Sequence, residues 1–127
     1  MSHKILIADD EIYIRLLLEQ TLEDLEEYDV ELLSAADGEE ALAIIQQERP
    51  KLVFLDVMMP KLNGYDVCMV VKQELQMNDV TIILLTAKGQ DVDRQRGQDA
   101  GADFYLTKPF DPDELLAQAK EILEIPK

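Results

Sequence analysis

The sequence predicts an α/β fold, an open parallel sheet with helices on both faces, and three observations carry that expectation. Short apolar runs alternate with longer amphipathic segments along the whole chain. The runs are apolar on both sides, as strands buried in a parallel sheet require. Strictly alternating strands and helices favour right-handed crossovers and two helical layers.

The clearest strands are Ile5-Leu6-Ile7-Ala8, Leu52-Val53-Phe54-Leu55 and Val80-Thr81-Ile82-Ile83-Leu84-Leu85. Val30 to Ala35 and Phe104 to Thr107 are weaker candidates, giving five in all. Between the first two runs, Ile14, Leu17, Leu18, Thr21, Leu22 and Leu25 form one helical stripe, with Arg15, Glu19, Gln20 and Glu23 opposite. Asp37 with Glu40 is a capping-box pattern opening Ala41 to Ile45, and Asn63 with Asp66 repeats it before Val67, Val70, Val71 and Leu75. The last helix has Asp111 at N-cap, Pro112 at N1 and Glu114 at N3, ahead of Leu115, Leu116, Ala119, Ile122 and Leu123. The segment from Gln90 to Asp99 differs: Val92 is its one sizeable apolar residue and Gly97 interrupts it, so weak packing and easy movement are expected.

The 127 residues suit one domain, 1–127, and 47% hydrophobic residues suffice for a core. With 27 acidic against 12 basic side chains the net charge is −15, which disfavours nucleic acid and anionic lipid and favours proteins, cations or small ligands as partners. A single cysteine, Cys68, excludes an internal disulfide and a cysteine-based zinc site, and it reads as a small inert hydrophobe. No apolar run approaches the roughly 18 residues of a membrane span, so a cytoplasmic location is expected.

In an open parallel sheet, ligands bind beyond the carboxyl ends of the strands. Those ends read Asp9-Asp10, Asp56, Thr86-Ala87 and Thr107-Lys108-Pro109. Three carboxylates gathered on one rim repel unless a cation offsets them or one takes up a proton. A hard divalent ion with oxygen ligands fits, and Mg²⁺ beside Lys108 would bring the three carboxylates to neutrality while leaving positions open for phosphoryl oxygens.

Four pieces carry a family resemblance: Ile-Leu-Ile-Ala-Asp9-Asp10-Glu11; Leu-Asp56-Val-Met-Met-Pro60-Lys-Leu-Asn-Gly64; Leu-Leu-Thr86-Ala87-Lys88; and Ala-Gly101-Ala-Asp-Phe-Tyr105-Leu-Thr-Lys108-Pro109-Phe110. In this order and spacing the chain resembles the receiver domain of two-component response regulators, from Lys4 to about Ile125. The resemblance implies a flavodoxin-like (βα)5 fold with strand order 2-1-3-4-5. It implies that Asp56 accepts a phosphoryl group from a sensor histidine kinase or phosphotransfer protein. Asp9, Asp10, Asp56 and the backbone carbonyl of Met58 would hold Mg²⁺, and Lys108 would pair with Asp56 and then with the phosphoryl group. Thr86 would reach a phosphoryl oxygen, Tyr105 would turn inward as the switch proceeds, and Lys108-Pro109 would be a cis peptide aiming the ammonium inward. Phe104 stands where many relatives carry a second acid, at a position facing away from the rim.

Each signal has a plainer reading. Asp9-Asp10 alone would be a solvated turn, Lys108 a surface lysine, Thr86 a β-branched strand residue and Tyr105 the filling of a half-buried edge. Their joint placement at matching strand exits tips the balance. Met58, Met59 and Pro60 read as loop packing apart from the Met58 carbonyl, and His3 as a frayed terminal residue. The seven acids from Glu19 to Glu31 read as a solvated face.

The expectation is a phosphorylation switch and not an enzyme, its catalysis limited to taking up and losing its own phosphoryl group. Its partners would be the kinase and an output protein or effector domain, with a homodimer through the fourth helix, fifth strand and fifth helix a further expectation. A receiver-like binding module that never carries phosphate is the alternative. An aspartate-nucleophile phosphatase would need an acid or base two residues after the nucleophile, where Met58 stands. A flavin site would need a phosphate loop where Asp9 and Asp10 would repel the phosphate. The chain reaches Lys127 without an effector, as either a stand-alone regulator or part of a longer one would.

Overall fold

Alternating side chains of the central strands serve two cores at once. In the computed structural model, which describes residues 3–87 and 94–125, the strands are β1 (His3–Ala8), β2 (Val30–Ala35), β3 (Leu52–Asp56), β4 (Thr81–Ala87) and β5 (Phe104–Lys108). All pair in parallel in the order β2-β1-β3-β4-β5, so the predicted class and strand order hold. The helices are α1 (Ile12–Leu22), α2 (Gly38–Glu48), α3 (Gly64–Met69), α4 (Arg94–Ala100) and α5 (Pro112–Ile122). Leu6, Ala8, Val53, Leu55, Ile82 and Leu84 pack with Ala41 and Ile45 of α2, Val67 and Cys68 of α3, and Ala100 of α4. Their neighbours Ile5, Ile7, Leu52, Phe54, Ile83 and Leu85 pack against Leu18 and Leu22 of α1 and Leu115 and Ala119 of α5.

The predicted caps are made. Asp37 accepts from the Glu40 N–H, Asn63 from the Asp66 N–H and Asp111 from the Asp113 N–H, with Pro112 opening α5. Cys68 is fully buried, and burial pushes its thiol up to about 12, in keeping with an inert hydrophobe.

Four expectations need correction. His3 is not frayed: it begins β1, and its N–H donates to the Asp29 carbonyl at 3.0 Å. Leu17 is 40% exposed, because α1 buries a narrower stripe through Leu18 and Leu22 that a 3₁₀ turn, Glu23–Tyr28, extends to Leu25. Leu75 is also exposed. A π turn, Val70–Glu74, follows α3, and the Leu75 N–H reaches back five residues to the Val70 carbonyl, which rotates the later side chains off the stripe and buries Met77 instead. Finally, Gly97 does not break α4, which runs through it. Val92 and the start of that expected helix lie outside the described residues. The described part is held by polar and small-residue contacts: Gln73 Nε2 donates to the Asp99 carbonyl, Cys68 Sγ to the Ala100 carbonyl at 3.6 Å, and the Arg96 guanidinium lies 4.6 Å from the centre of the Tyr65 ring.

Candidate functional site

Parallel strands all end on the same side, so the residues after β1, β3 and β5 converge there even though Asp9 and Lys108 are 99 positions apart. The Asp9 N–H donates to the Ala35 carbonyl at 3.1 Å, fixing the exit of β1 against β2. The Asp9 side chain is fully buried. Its Oδ1 accepts from the Glu11 N–H at 2.9 Å and its Oδ2 from Lys108 Nζ at 2.7 Å. The same ammonium stands 3.3 Å from Asp56 Oδ1. Asp10 is exposed, yet Asp9, Asp10 and Asp56 each offer an oxygen, and these lie within 4.8 Å of one another.

The loop after Asp56 is closed by its own backbone. The Val57 N–H donates to the Leu85 carbonyl at 3.2 Å, and the Gly64 N–H returns to the Val57 carbonyl at 2.9 Å. A side chain at Gly64 would put Cβ 2.5 Å from the Asp56 carbonyl oxygen, so this close return needs glycine. Lys108-Pro109 is a cis peptide.

Burial, then the Asp9 charge, pushes the Asp56 carboxyl from 3.8 up to about 7, against the pull of Lys108 and of the Met58 N–H. For Lys108, burial works against the charge, but hydrogen bonding to Asp9 and the charge of Asp56 outweigh it, and the ammonium is held above its usual 10.5. Among the described residues the site thus carries one cation for three carboxylates, a deficit of positive charge beside a cleft of about 240 Å³ lined by Asp10, Glu11, Asp56, Val57, Met58, Leu85 and Lys108. Two larger hollows, of about 390 and 300 Å³, lie away from these carboxylates and hold none of the convergent chemistry.

The structure therefore brings Asp9, Asp10, Asp56 and Lys108 together, with Met58 on the cleft wall. Thr86 ends up buried near the end of β4, opposite Thr107 of β5, and is not among the residues lining the cleft. Tyr105 is farther down β5, half-buried and opposite Leu84. Arg15 was missed: its Nη1 donates to the Asp9 carbonyl at 2.6 Å, bracing the turn that carries both acids, whereas the helical pattern put it on the solvated side. It is the sole basic residue between Lys4 and Arg49, and that isolation was the available signal.

Residues 5–120 match the sequence profile of the response regulator receiver domain. The chain belongs to that family. This receiver domain is 52% identical over 120 residues to ycf27 of Cyanophora paradoxa, covering 94% of this chain and 48% of that protein. It is 47% identical over 123 residues to the alkaline phosphatase synthesis transcriptional regulatory protein PhoP of Bacillus subtilis, covering 97% and 49%. The chain thus spans about half the length of these relatives. Among solved structures, the BeF3-activated receiver domain of DrrB, a Thermotoga maritima protein, superimposes with a TM-score of 0.84 at 35% identity, covering 98% of this chain and 99% of that one. The receiver domain described here is accordingly a two-component signalling module. No described helix is long and apolar enough to cross a membrane.

Proposed function

We propose that Asp56 accepts a phosphoryl group from a phosphohistidine of a sensor kinase or phosphotransfer protein, in a reaction that requires Mg²⁺. The supporting observation is the cluster itself: three carboxylates within 4.8 Å and a single ammonium shared between Asp9 and Asp56. The donor set is all oxygen, and among the described residues three carboxylates against one ammonium leave a net charge of −2, which fits a hard divalent ion held by Asp9, Asp10, Asp56 and the Met58 carbonyl. When bound, Mg²⁺ supplies counter-charge for the phosphoryl oxygens during in-line transfer.

The chain's own residues do the rest. An ionised Asp56 oxygen attacks phosphorus, the P–N bond of the phosphohistidine breaks, and the imidazole leaves with that electron pair. Lys108 follows the charge from the Asp56 carboxylate to the new phosphoryl oxygens, and the Thr86 hydroxyl donates to one of them. Asp9 keeps Lys108 oriented throughout, itself held by the Glu11 N–H and, through its carbonyl, by Arg15. Water attacking phosphorus later returns the carboxylate and inorganic phosphate. Turnover is confined to this acyl phosphate, so the domain is a switch and not an enzyme acting on free metabolites.

Partner access favours the same edge. Ile12, Tyr13 and Leu16 are exposed directly after the acidic turn, Tyr13 by 81%, and Met58 is exposed beside the cleft, giving the phosphodonor apolar footholds. Output would pass to an effector or a second copy through α4, β5 and α5, and the cytoplasm is the compartment this reading assigns.

Incubation with acetyl phosphate and Mg²⁺ is expected to add one phosphoryl group. Asp10→Ala should weaken Mg²⁺ binding and slow both labelling and its decay by about tenfold or more, because the developing charge loses a ligand for its counter-ion. Equal Mg²⁺ affinity and equal rates in the variant would remove the metal from this site.

A further inference from the structure

Gly97 sits in the interior of α4, where glycine is a poor helix former and alanine a good one. The position is nevertheless buried. A Cβ built there would stand 2.6 Å from Tyr105 Cε1, 2.9 Å from the Tyr105 hydroxyl oxygen and 3.0 Å from Leu84 Cδ1. Leu84 and Tyr105 are direct neighbours in the β4–β5 register, and Thr86 and Thr107 are the pair two residues on. Since side chains alternate along a strand, Tyr105 and Thr86 lie on the same face of the sheet, the face that α3 and α4 cover.

The helix has little freedom to back away. Its last-turn carbonyls, at Asp99 and Ala100, accept from Gln73 and Cys68, and Arg96 lies over the Tyr65 ring. Just beyond α4, Asp103 pairs with Lys72 at 2.9 Å while accepting from the Ile82 N–H at 2.8 Å. The tyrosine ring, which turns about its own side-chain bonds, is the part that yields.

We infer that Gly97 is a positioning residue: its missing side chain is the seat of the Tyr105 ring under α4, and that seat couples the ring to the phosphoacceptor rim through Thr86. The coupling half rests on the phosphoacceptor reading, and the seat stands without it. An alanine at 97 excludes the seated ring and forces it outward. Phosphoryl acceptance is untouched, because the atoms nearest a Cβ at position 97 belong to Tyr105 and Leu84 and not to Asp9, Asp10, Asp56 or Lys108, but α4 and β5 no longer report the state of Asp56.

A double-mutant cycle in urea tests the seat. Alanine for glycine inside a helix ordinarily stabilises, so the sign of the effect is the readout. Gly97→Ala alone should raise the unfolding constant roughly tenfold through overpacking. In a Tyr105→Ala background the same change should lower it, by up to about fivefold. Stabilisation in both backgrounds would overturn the seat. Should Gly97→Ala fail to fold alone, the Tyr105→Ala pair decides: a double variant less stable than Tyr105→Ala also overturns it.

Coupling is read by fluorine NMR with fluorotyrosine at the four tyrosines, the Tyr105 signal being the one absent from Tyr105→Phe. Adding beryllofluoride and Mg²⁺ should shift that signal in the unaltered chain. In Gly97→Ala the signal should start at a solvent-like position and shift less, with acetyl phosphate labelling at its full extent. A beryllofluoride shift of the same size in both proteins would overturn the coupling. Loss of labelling in the unaltered chain would instead remove the phosphoacceptor reading, and the urea cycle alone would then decide the seat.

Discussion

At about pH 8, with divalent cations chelated, Asp56→Asn is expected to be more stable than the unaltered chain by on the order of 2–4 kcal/mol. Burial, reinforced by Asp9, raises the Asp56 carboxyl from 3.8 to about 7. The folded state therefore holds that proton more tightly than the unfolded chain does. Stability contributed by this group is full below about pH 4 and is lost as pH rises through about 7. Each pK unit is worth about 1.4 kcal/mol, so a rise of roughly three units sets the ceiling, and the loss of attraction to Lys108 in the variant sets the lower figure. Urea midpoints measured across this pH range should show the unaltered chain falling relative to Asp56→Asn. Mg²⁺ should shrink the difference, since it binds the folded rim and not the unfolded chain. A variant less stable than the unaltered chain at about pH 8 without metal would mean that Lys108 already overcompensates the carboxylates.

Lys108→Met is expected to act in the opposite direction, costing about 3–5 kcal/mol under the same metal-free conditions. The methionine keeps most of the side-chain volume, so the loss is electrostatic. Removing the ammonium leaves Asp9 Oδ2, now bonded at 2.7 Å, and Asp56 Oδ1, at 3.3 Å, without their shared cation, and Asp9 has no exposure through which water could replace it. The cost should lessen at about pH 5, where Asp56 takes up a proton, and Mg²⁺ should restore part of it. Denaturant titrations at the two pH values, with and without Mg²⁺, check this. An equal cost at both would point to lost packing of the lysine stem and not to charge.

Strands such as Leu52–Asp56 were legible because burial on both faces leaves an unbroken apolar run, and the caps at Asp37, Asn63 and Asp111 because a local hydrogen bond has a local sequence pattern. The rim was legible for a topological reason: parallel strands bring their carboxyl ends together whatever their separation in sequence. What stayed hidden depends on tertiary contacts. The π turn at Val70–Glu74 accompanies a Lys72 that donates to the Val80 carbonyl and pairs with Asp103, partners that periodicity cannot see, and the extra residue moved Leu75 into solvent. Gly97 looked like a break because propensity counts glycine against a helix, whereas the deciding neighbour, Tyr105, comes from another element. Arg15 looked solvated for the same reason, its partner being a backbone carbonyl outside the helix.

Site mapping of the phosphoryl group tests the central claim most directly. After acetyl phosphate and Mg²⁺, borohydride reduces an aspartyl phosphate to the side-chain alcohol, a stable mass change that peptide sequencing can place. The expected result is one modified position, residue 56, with no modification in Asp56→Asn. Modification at Asp9, Asp10 or any other residue, or a signal that persists undiminished in Asp56→Asn, would contradict Asp56 as the acceptor.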